Sequence, residues 1–316
     1  MYRKIQDLVH INIVCDDGGI GDNIARIPVV KYILDYHPHV FIHFWVPDYF
    51  LEFSNRSLAS YKKNLVIRNF TKAKKKFNKN LYARAFSVHH YNNMSIHMTK
   101  HAFHVVAQQE PTEQQLNYLK FDTSDQNIKQ YDLPEKYVVV ATGFTAPIRE
   151  FLPQYVNEVT KYIVSKGYTP VFLGKTETPN GNDQVIKGTF KEEIDYSVGI
   201  DLIDETSLLE TREIINNAKT IVGLDNGLLH VAGTTDIPIV GGFTSVNPIH
   251  RMPYRHDVLG WNFYPVVPPE SVVDRFCQSN WSFTFDHDFK YCFYGDYAIV
   301  KALTPDLYIK ELEKIL

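Results

Sequence analysis

The feature that most constrains this chain is a strand that runs directly into a glycine-rich loop and then into a helix. Leu8-Val9-His10-Ile11-Asn12-Ile13-Val14 is a β-branched run, and Asp16-Asp17-Gly18-Gly19-Ile20-Gly21-Asp22 follows it. From Asn23 to Tyr36 apolar residues return at helical spacing, at Ile24, Ile27, Val30, Ile33 and Leu34. Such an opening points to an α/β fold with a parallel sheet whose crossovers are helices. The alternation continues with strands at 40–46 and 65–67 and helices at about 97–106 and 113–119. A polar stretch ending in Tyr131-Asp132-Leu133-Pro134 then reads as an interdomain linker. Beyond it a second series begins: strand 137–141, helix 153–166, strand 170–173, helix 207–217, strand 220–223, helix 227–234 and strand 237–240. A last helix, from Asp306 to Ile315, has Thr304 as its cap and Pro305 in its first turn.

Two βα series in 316 residues fit two domains. The expected division is 1–134 and 135–316, with the last helix a candidate to pack back on the first domain. Two Rossmann-like halves that face each other hold a ligand in the cleft beyond the C-terminal ends of their strands. Functional residues are therefore sought in strand-to-helix loops.

Composition narrows the class. Hydrophobic residues make up 44% and charged residues 22%, which excludes a fibrous repeat or a disordered chain. No apolar run approaches the roughly 18 residues that span a bilayer, and Met1 to Asp7 holds no signal-peptide core, so a cytoplasmic protein is expected. Cys15, Cys277 and Cys292 lie far apart without a CxxC pair, which argues against a zinc ribbon or a disulfide framework and assigns the thiols to packing. The net charge of -3 hides an asymmetry. Residues 1–134 carry 17 Lys/Arg against 12 Asp/Glu, and the remainder 16 against 24. A basic first half favours an anionic partner there, with the run Lys72, Lys74, Lys75, Lys76, Lys79 either a solvated loop or its recognition element.

In the first loop Gly18, Gly19 and Gly21 permit a tight turn and close approach to a ligand. The loop does not match a dinucleotide fingerprint, because Ile24 stands where the third glycine belongs, and no GKS/GKT follows for a phosphate loop. Asp22 at a helix start is poorly suited to phosphate. It suits either of two other tasks: capping the helix, or accepting a proton from an attacking hydroxyl as a general base. In the second half, the run from Ile221 to Gly233 reads as a strand, a turn at Asp225-Asn226-Gly227 and a helix bearing His230. The amides of Asn226, Gly227 and Leu228 can meet a diphosphate there, or the turn can be a structural cap.

Taken jointly, these residues resemble a family. Gly21-Asp22 followed by Pro28, then Asp225-x-Gly227-x-x-His230-x-Ala232 followed by Pro238 and Gly242-Phe243-Thr244-Ser245-Val246-Asn247-Pro248, are similar to the ADP-heptose:lipopolysaccharide heptosyltransferases. Thr142-Gly143, Arg149-Glu150-Phe151-Leu152-Pro153, Gly174 to Glu177 and Asp204 to Leu209 extend the resemblance, and it is weakest from about 45 to 130. It implies a GT-B fold, a nucleoside-diphosphate sugar donor, inversion at the anomeric carbon, and no metal or other cofactor. By position, Asp22 would be the catalytic base and Arg149 would neutralise the departing phosphate. Thr142, Gly143, Gly174, Glu177, Asp225, Asn226, Gly227, Leu228 and His230 would form the donor site, with Glu177 on the ribose and Asp225 on the sugar hydroxyls. Two positions depart from the family pattern: Arg149 stands where it has a lysine, and Asn226 where it has Thr or Ser.

The acceptor side is expected to involve Gly19, Gly21, Lys74, Lys75, His97 and His101. The resemblance implies a lipopolysaccharide-type glycan as acceptor. A phage-type transfer to hydroxymethylcytosine in DNA would also explain the basic first half. Outside transferases, a sugar-nucleotide epimerase and a non-catalytic sugar-nucleotide binding protein share the architecture. His97, His101 and His104 fall at i, i+4 and i+7, which is metal-ligand spacing, but no carboxylate nearby completes a set, and contact with an acceptor phosphate is the other reading.

Overall fold

The computed structural model describes residues 9–15, 19–70, 84–86, 96–145, 147–179, 185–244, 246–272 and 298–316. The lysine run, Cys277, Cys292 and Asp16 to Gly18 lie outside the described residues. In the first half β1 (His10–Cys15), β2 (Phe41–Val46), β3 (Leu65–Asn69) and β4 (Arg84–Phe86) form a parallel sheet in the order β3-β2-β1-β4. Helices α1 (Ile20–Tyr36), α2 (Leu51–Ser57) and α3 (Met98–Val106) accompany it. Alternate residues of β2, Ile42, Phe44 and Val46, are fully buried, so its period of two sets one face against the helices.

The second half is built on β5 (Tyr137–Ala141), α4 (Pro153–Ser165), β6 (Thr169–Phe172), the hairpin β7 (Glu177–Pro179) and β8 (Val185–Lys187), β9 (Ile200–Asp201), α5 (Leu208–Asn217), β10 (Ile221–Leu224), α6 (Gly227–Ala232), β11 (Ile239–Gly242), the small pair β12 (Tyr254–Arg255) and β13 (Val258–Leu259), β14 (Phe263–Val266) and α7 (Pro305–Leu312). Six of these strands form a parallel sheet in the order β14-β11-β10-β5-β6-β9. All five residues of β5 are buried, as a central parallel strand covered on both faces requires. Helix α4 buries Val156, Val159, Thr160 and Ile163, the stripe its three- and four-residue spacing creates.

The halves are not independent bodies. One core runs from Ile11 and Ile27 in the first to Val231 and Ile239 in the second. Helix α1 packs on α6. The crossing segment is tied down ahead of the expected linker: the Tyr118 amide donates to the Tyr254 carbonyl at 2.9 Å, and Arg212 donates to Thr123 Oγ1 at 2.8 Å while lying over the Phe121 ring. The helix expected over 113–119 is therefore cut short to Glu113–Leu116, because Asn117 and Tyr118 pair with Tyr254 instead.

Among the described residues the last helix packs on the second half and not back on the first. Helix α7 lies on α4, β14 and β11, with Tyr308 stacked on Phe151 at 4.5 Å. Thr304 occupies its cap position without a side-chain cap bond. Among the described residues no helix is long and apolar enough to cross a membrane.

Gly242 at the end of β11 lies against Tyr308, whose buried hydroxyl has no hydrogen-bond partner among the described residues, and a Cβ there would overlap that oxygen and come within 2.8 Å of Leu224. Gly242→Ala is expected to destabilise the chain by about 2 kcal/mol, the usual cost of overpacking a core. Adding Tyr308→Phe should recover part of the loss; denaturant titration of the single and double variants measures both.

Candidate active site

The two motif-bearing loops meet across one cleft. A cavity of about 730 Å³ is lined from the first half by Gly19, Gly21, Asp22, Tyr49 and Glu52, and from the second by Gly143, Arg149, Gly174, Glu177 and Asp225 to Leu228, with His230. Residues more than 200 positions apart in sequence are thus brought to the same space.

Asp22 sits in the first turn of α1, where its Oδ2 accepts the Gly19 amide at 2.9 Å. This bond starts the helix at Ile20, earlier than the expected Asn23. Asp22 therefore caps the helix and also lines the cleft, so the two readings of this residue are compatible.

Opposite it, Asp225 is 7% exposed. Its Oδ2 and the Arg149 Nε are 3.8 Å apart, and neither has a hydrogen-bond partner among the described residues. Burial pushes the Asp225 carboxyl up, but Arg149, Arg251 and His230 together outweigh it, and the group is held below the usual carboxylate range. A buried carboxylate oxygen without a partner is costly. Its position on the cavity wall suits it to accept from a ligand hydroxyl.

The turn Asp225-Asn226-Gly227 opens α6, and Asn226 Oδ1 accepts the Leu228 amide at 2.9 Å. Leu228 lines the cavity, but its amide is taken by this cap and is not available to a phosphate. His230, one turn later, is 5% exposed; its Nδ1 lies 3.0 Å from the Tyr118 hydroxyl and its ring against Gly21. A Cβ at Gly21 would overlap that ring, within 3.0 Å of Cγ and Nε2. Burial lowers the imidazole to about 4, with Arg251 and Arg149 acting in the same sense against Asp225 and Asp22.

Other expected residues fall elsewhere. Thr142 is buried at 3% exposure and is not on the cavity wall, which begins at Gly143. Gly143 and Gly174 do permit a close approach, but to a side chain: the Phe190 ring stands 2.5 Å from a Cβ built at either. That ring is carried by the segment after β8, strapped to the end of β5 by the Phe144 and Thr189 backbone pair at 2.7 and 3.3 Å.

His97 is not on the cavity wall. It is buried, accepts the Thr99 amide on Nδ1 as the cap of α3, and places Nε2 2.9 Å from the Met252 carbonyl. Burial lowers it to about 3. His101 is off the cavity wall, and His104 pairs with Glu110 at 2.5 Å. The three histidines therefore do not converge, and among the described residues no cluster of three or more His, Cys, Asp or Glu is placed to hold a metal. Lys74 and Lys75 lie outside the described residues.

The sequence reading missed Arg251, Phe190, Tyr118, Tyr49 and Glu52. Arg251 follows the quoted Gly242 to Pro248 stretch closely, but nothing local marks it. Its place on the wall, near Met98 at 3.8 Å, arises only when the halves meet.

A model of glycosyltransferase family 9 (heptosyltransferase) matches residues 59–262. A lipopolysaccharide heptosyltransferase 2 from Salmonella typhimurium is 26% identical over 110 residues, a stretch that covers 35% of this chain and only 31% of that protein. Among solved structures, a family 9 glycosyl transferase from Veillonella parvula superposes with a TM-score of 0.66 at 14% identity, over 100% of this chain and 98% of that one. The E. coli ADP-heptose lipopolysaccharide heptosyltransferase II gives 0.63 at 15%, over 98% of each chain. A dodecameric iron-containing heptosyltransferase, TibC, in complex with ADP-D-beta-D-heptose gives 0.70 at 16%, over 99% of this chain and 77% of that one. The shared architecture is the GT-B fold, as the two-sheet topology suggests.

Buried His97 and His230 give the fold a pH signature. An unfolded chain binds protons at these rings near 6.5, whereas the folded chain does so only near 3 and 4. The unfolded state then holds more protons at intermediate pH, so stability falls as pH drops below about 6.5. Melting temperature is expected to be flat above neutrality and to decline between 6.5 and 4. His230→Asn should make that slope shallower in the same thermal scans.

Proposed function

The chain belongs to glycosyltransferase family 9, and from that premise we propose that it moves a sugar from a nucleoside-diphosphate sugar to a hydroxyl of an acceptor glycan, with inversion at the anomeric carbon. The observation that carries this reading is the facing of Asp22 against the Arg149–Asp225 pair across one cavity. Asp22 takes the proton of the acceptor hydroxyl as that oxygen bonds to the anomeric carbon. The bond from this carbon to the diphosphate breaks, and the electron pair leaves with the phosphate. Attack from the face opposite the leaving group gives inversion.

Arg149 neutralises the charge that develops on the leaving oxygen, and the amides of Asn226 and Gly227 assist it. With that charge met by a guanidinium and amides, the reaction proceeds without a metal ion. Arg is a broader, forked donor than the family's lysine. Together with Asn226 in the place of Thr or Ser, this makes the sugar carried by the donor a matter for direct assay. Asp225 Oδ2 accepts from a sugar hydroxyl, which resolves its lack of a partner, and Glu177 at the cleft wall accepts from the ribose. The named relatives support a lipopolysaccharide-type acceptor, and the reaction is assigned to the cytoplasm.

A thermal-shift panel of nucleotide sugars should find one that stabilises the chain by about 2.7 kcal/mol at about 100 times its dissociation constant. With that donor, Asp22→Ala is expected to lower turnover by roughly a hundredfold or more while leaving the donor shift intact. A wild-type rate in the variant would remove Asp22 as the base. Turnover that collapses on addition of a chelator would remove the metal-free route.

A further inference from the structure

The six-stranded sheet of the second half changes direction between β5 and β10: β6 and β9 follow on one side of that pair, β11 and β14 on the other. Sheets of this kind hold a ligand outside the C-terminal ends of the strands where the order reverses. Asn226 Nδ2 donates to the Gly143 carbonyl at 3.4 Å, which closes the loops after β10 and β5 on each other at that point. In the transferase reading the diphosphate meets the amides of Asn226 and Gly227, and the ribose meets Glu177. Glu177 opens β7, just beyond the end of β6, so the nucleoside extends from the reversal toward β6.

At that end of the cleft stands Phe190, half-buried and on the cavity wall. Its ring enters a notch between β5 and β6 by the tip. Cζ lies 2.5 Å and Cε1 2.9 Å from a Cβ built at Gly143, and both lie at the same distances from one built at Gly174. Neither position can carry a side chain while the ring is seated. The segment that delivers the ring is fitted as closely: the Gly188 amide donates to the Thr176 carbonyl at 2.8 Å, and a Cβ at Gly188 would overlap the Lys175 carbonyl oxygen. On the other side of the ring Lys191 reaches Glu150 at 3.3 Å.

Three glycines thus make room for one aromatic ring that still shows part of its surface to the cavity. Every nucleobase has a π-face, and an aromatic side chain is a common platform for one. A ring already fixed by its tip has little side-chain freedom left to lose when a base covers it.

We propose that Phe190 determines specificity in the donor site, as the platform on which the nucleobase of the nucleoside diphosphate stacks. The proposal rests on the transferase reading of the cleft and deepens its donor half.

The test is calorimetric titration of the full chain with ADP, GDP, UDP and ribose 5-diphosphate, the base-less counterpart of all three. The tightest of the nucleotides should bind the wild-type chain roughly tenfold or more tightly than ribose 5-diphosphate, the worth of one base–aromatic stack. Phe190→Leu, an apolar replacement that keeps much of the volume, should bring the two within about twofold of each other by weakening the nucleotide alone. Gly174→Ala, whose Cβ would displace the tip of the ring, should act in the same sense on a chain that keeps Phe190. Thermal melts check that both variants fold, and the wild-type ratio needs neither. Equal binding of nucleotide and ribose 5-diphosphate by the wild-type chain overturns the proposal, and so does a Phe190→Leu chain that weakens both ligands alike or neither. A chain that binds none of the four fails as a transferase and this proposal falls with it, whereas one that binds the nucleotides no better than ribose 5-diphosphate fails only here.

Discussion

The contact on which the rest depends is the seat of Gly21 on the His230 ring. It joins α1 of the first half to α6 of the second at their N-terminal ends, the same ends at which Asp22 and Asp225 stand. A side chain on residue 21 would hold the helices apart, and the cleft would widen at the point where a base and a leaving group must share a substrate. His230 is fixed in turn by the Tyr118 hydroxyl at 3.0 Å, and Tyr118 is fixed through its amide to Tyr254. The separation of the two loops is thus set by packing and not by the loops themselves. A displacement of about 1 Å between reacting groups is enough to cost a large factor in rate, so this seat belongs to the chemistry as much as to the fold.

The cations around Asp225 follow the same division. Around Asp225 the second half collects Arg149, Arg251 and the N-terminal turn of α6, while Asp22, Asp48 and Glu52 stand on the first. In the proposed transfer a proton moves toward the first half and negative charge toward the second. Fixed charges arranged in this sense need little reorganisation as the reaction proceeds. His230 between them stays neutral because burial lowers it to about 4, so the ring can pack against Gly21 without bringing a third cation to the centre.

Much of this was legible in the sequence because parallel sheets write themselves as alternating strands and helices. Tyr137–Ala141 was read at its observed bounds, and α4 and α5 to within a residue at either end. Strand-to-helix loops lie at the cleft in such folds, so Asp22 and Asp225 could be placed from position alone. What stayed hidden has one physical cause: it depends on partners distant in sequence. Gly143 and Gly174 are expected at the donor site by position, but a single sequence cannot say that the Phe190 ring lies against both. His97 carried ligand spacing, yet its two ring nitrogens are spent on Thr99 and on Met252, 155 residues away. The last helix was free to dock on either half by its pattern, and the pocket around Tyr308 and Phe151 decided the matter.

Charge counting meets the same limit. Residues 1–134 are basic in sum, and that sum favours an anionic partner. A partner, however, meets the residues on the wall and not the sum. On the described first-half wall those are Asp22, Asp48 and Glu52 around Tyr49, while five of the lysines behind the count fall in the run from 72 to 79. In the proposed transfer the carboxylates of that wall stand beside the reacting hydroxyl, so a sum over 134 residues does not describe its surroundings.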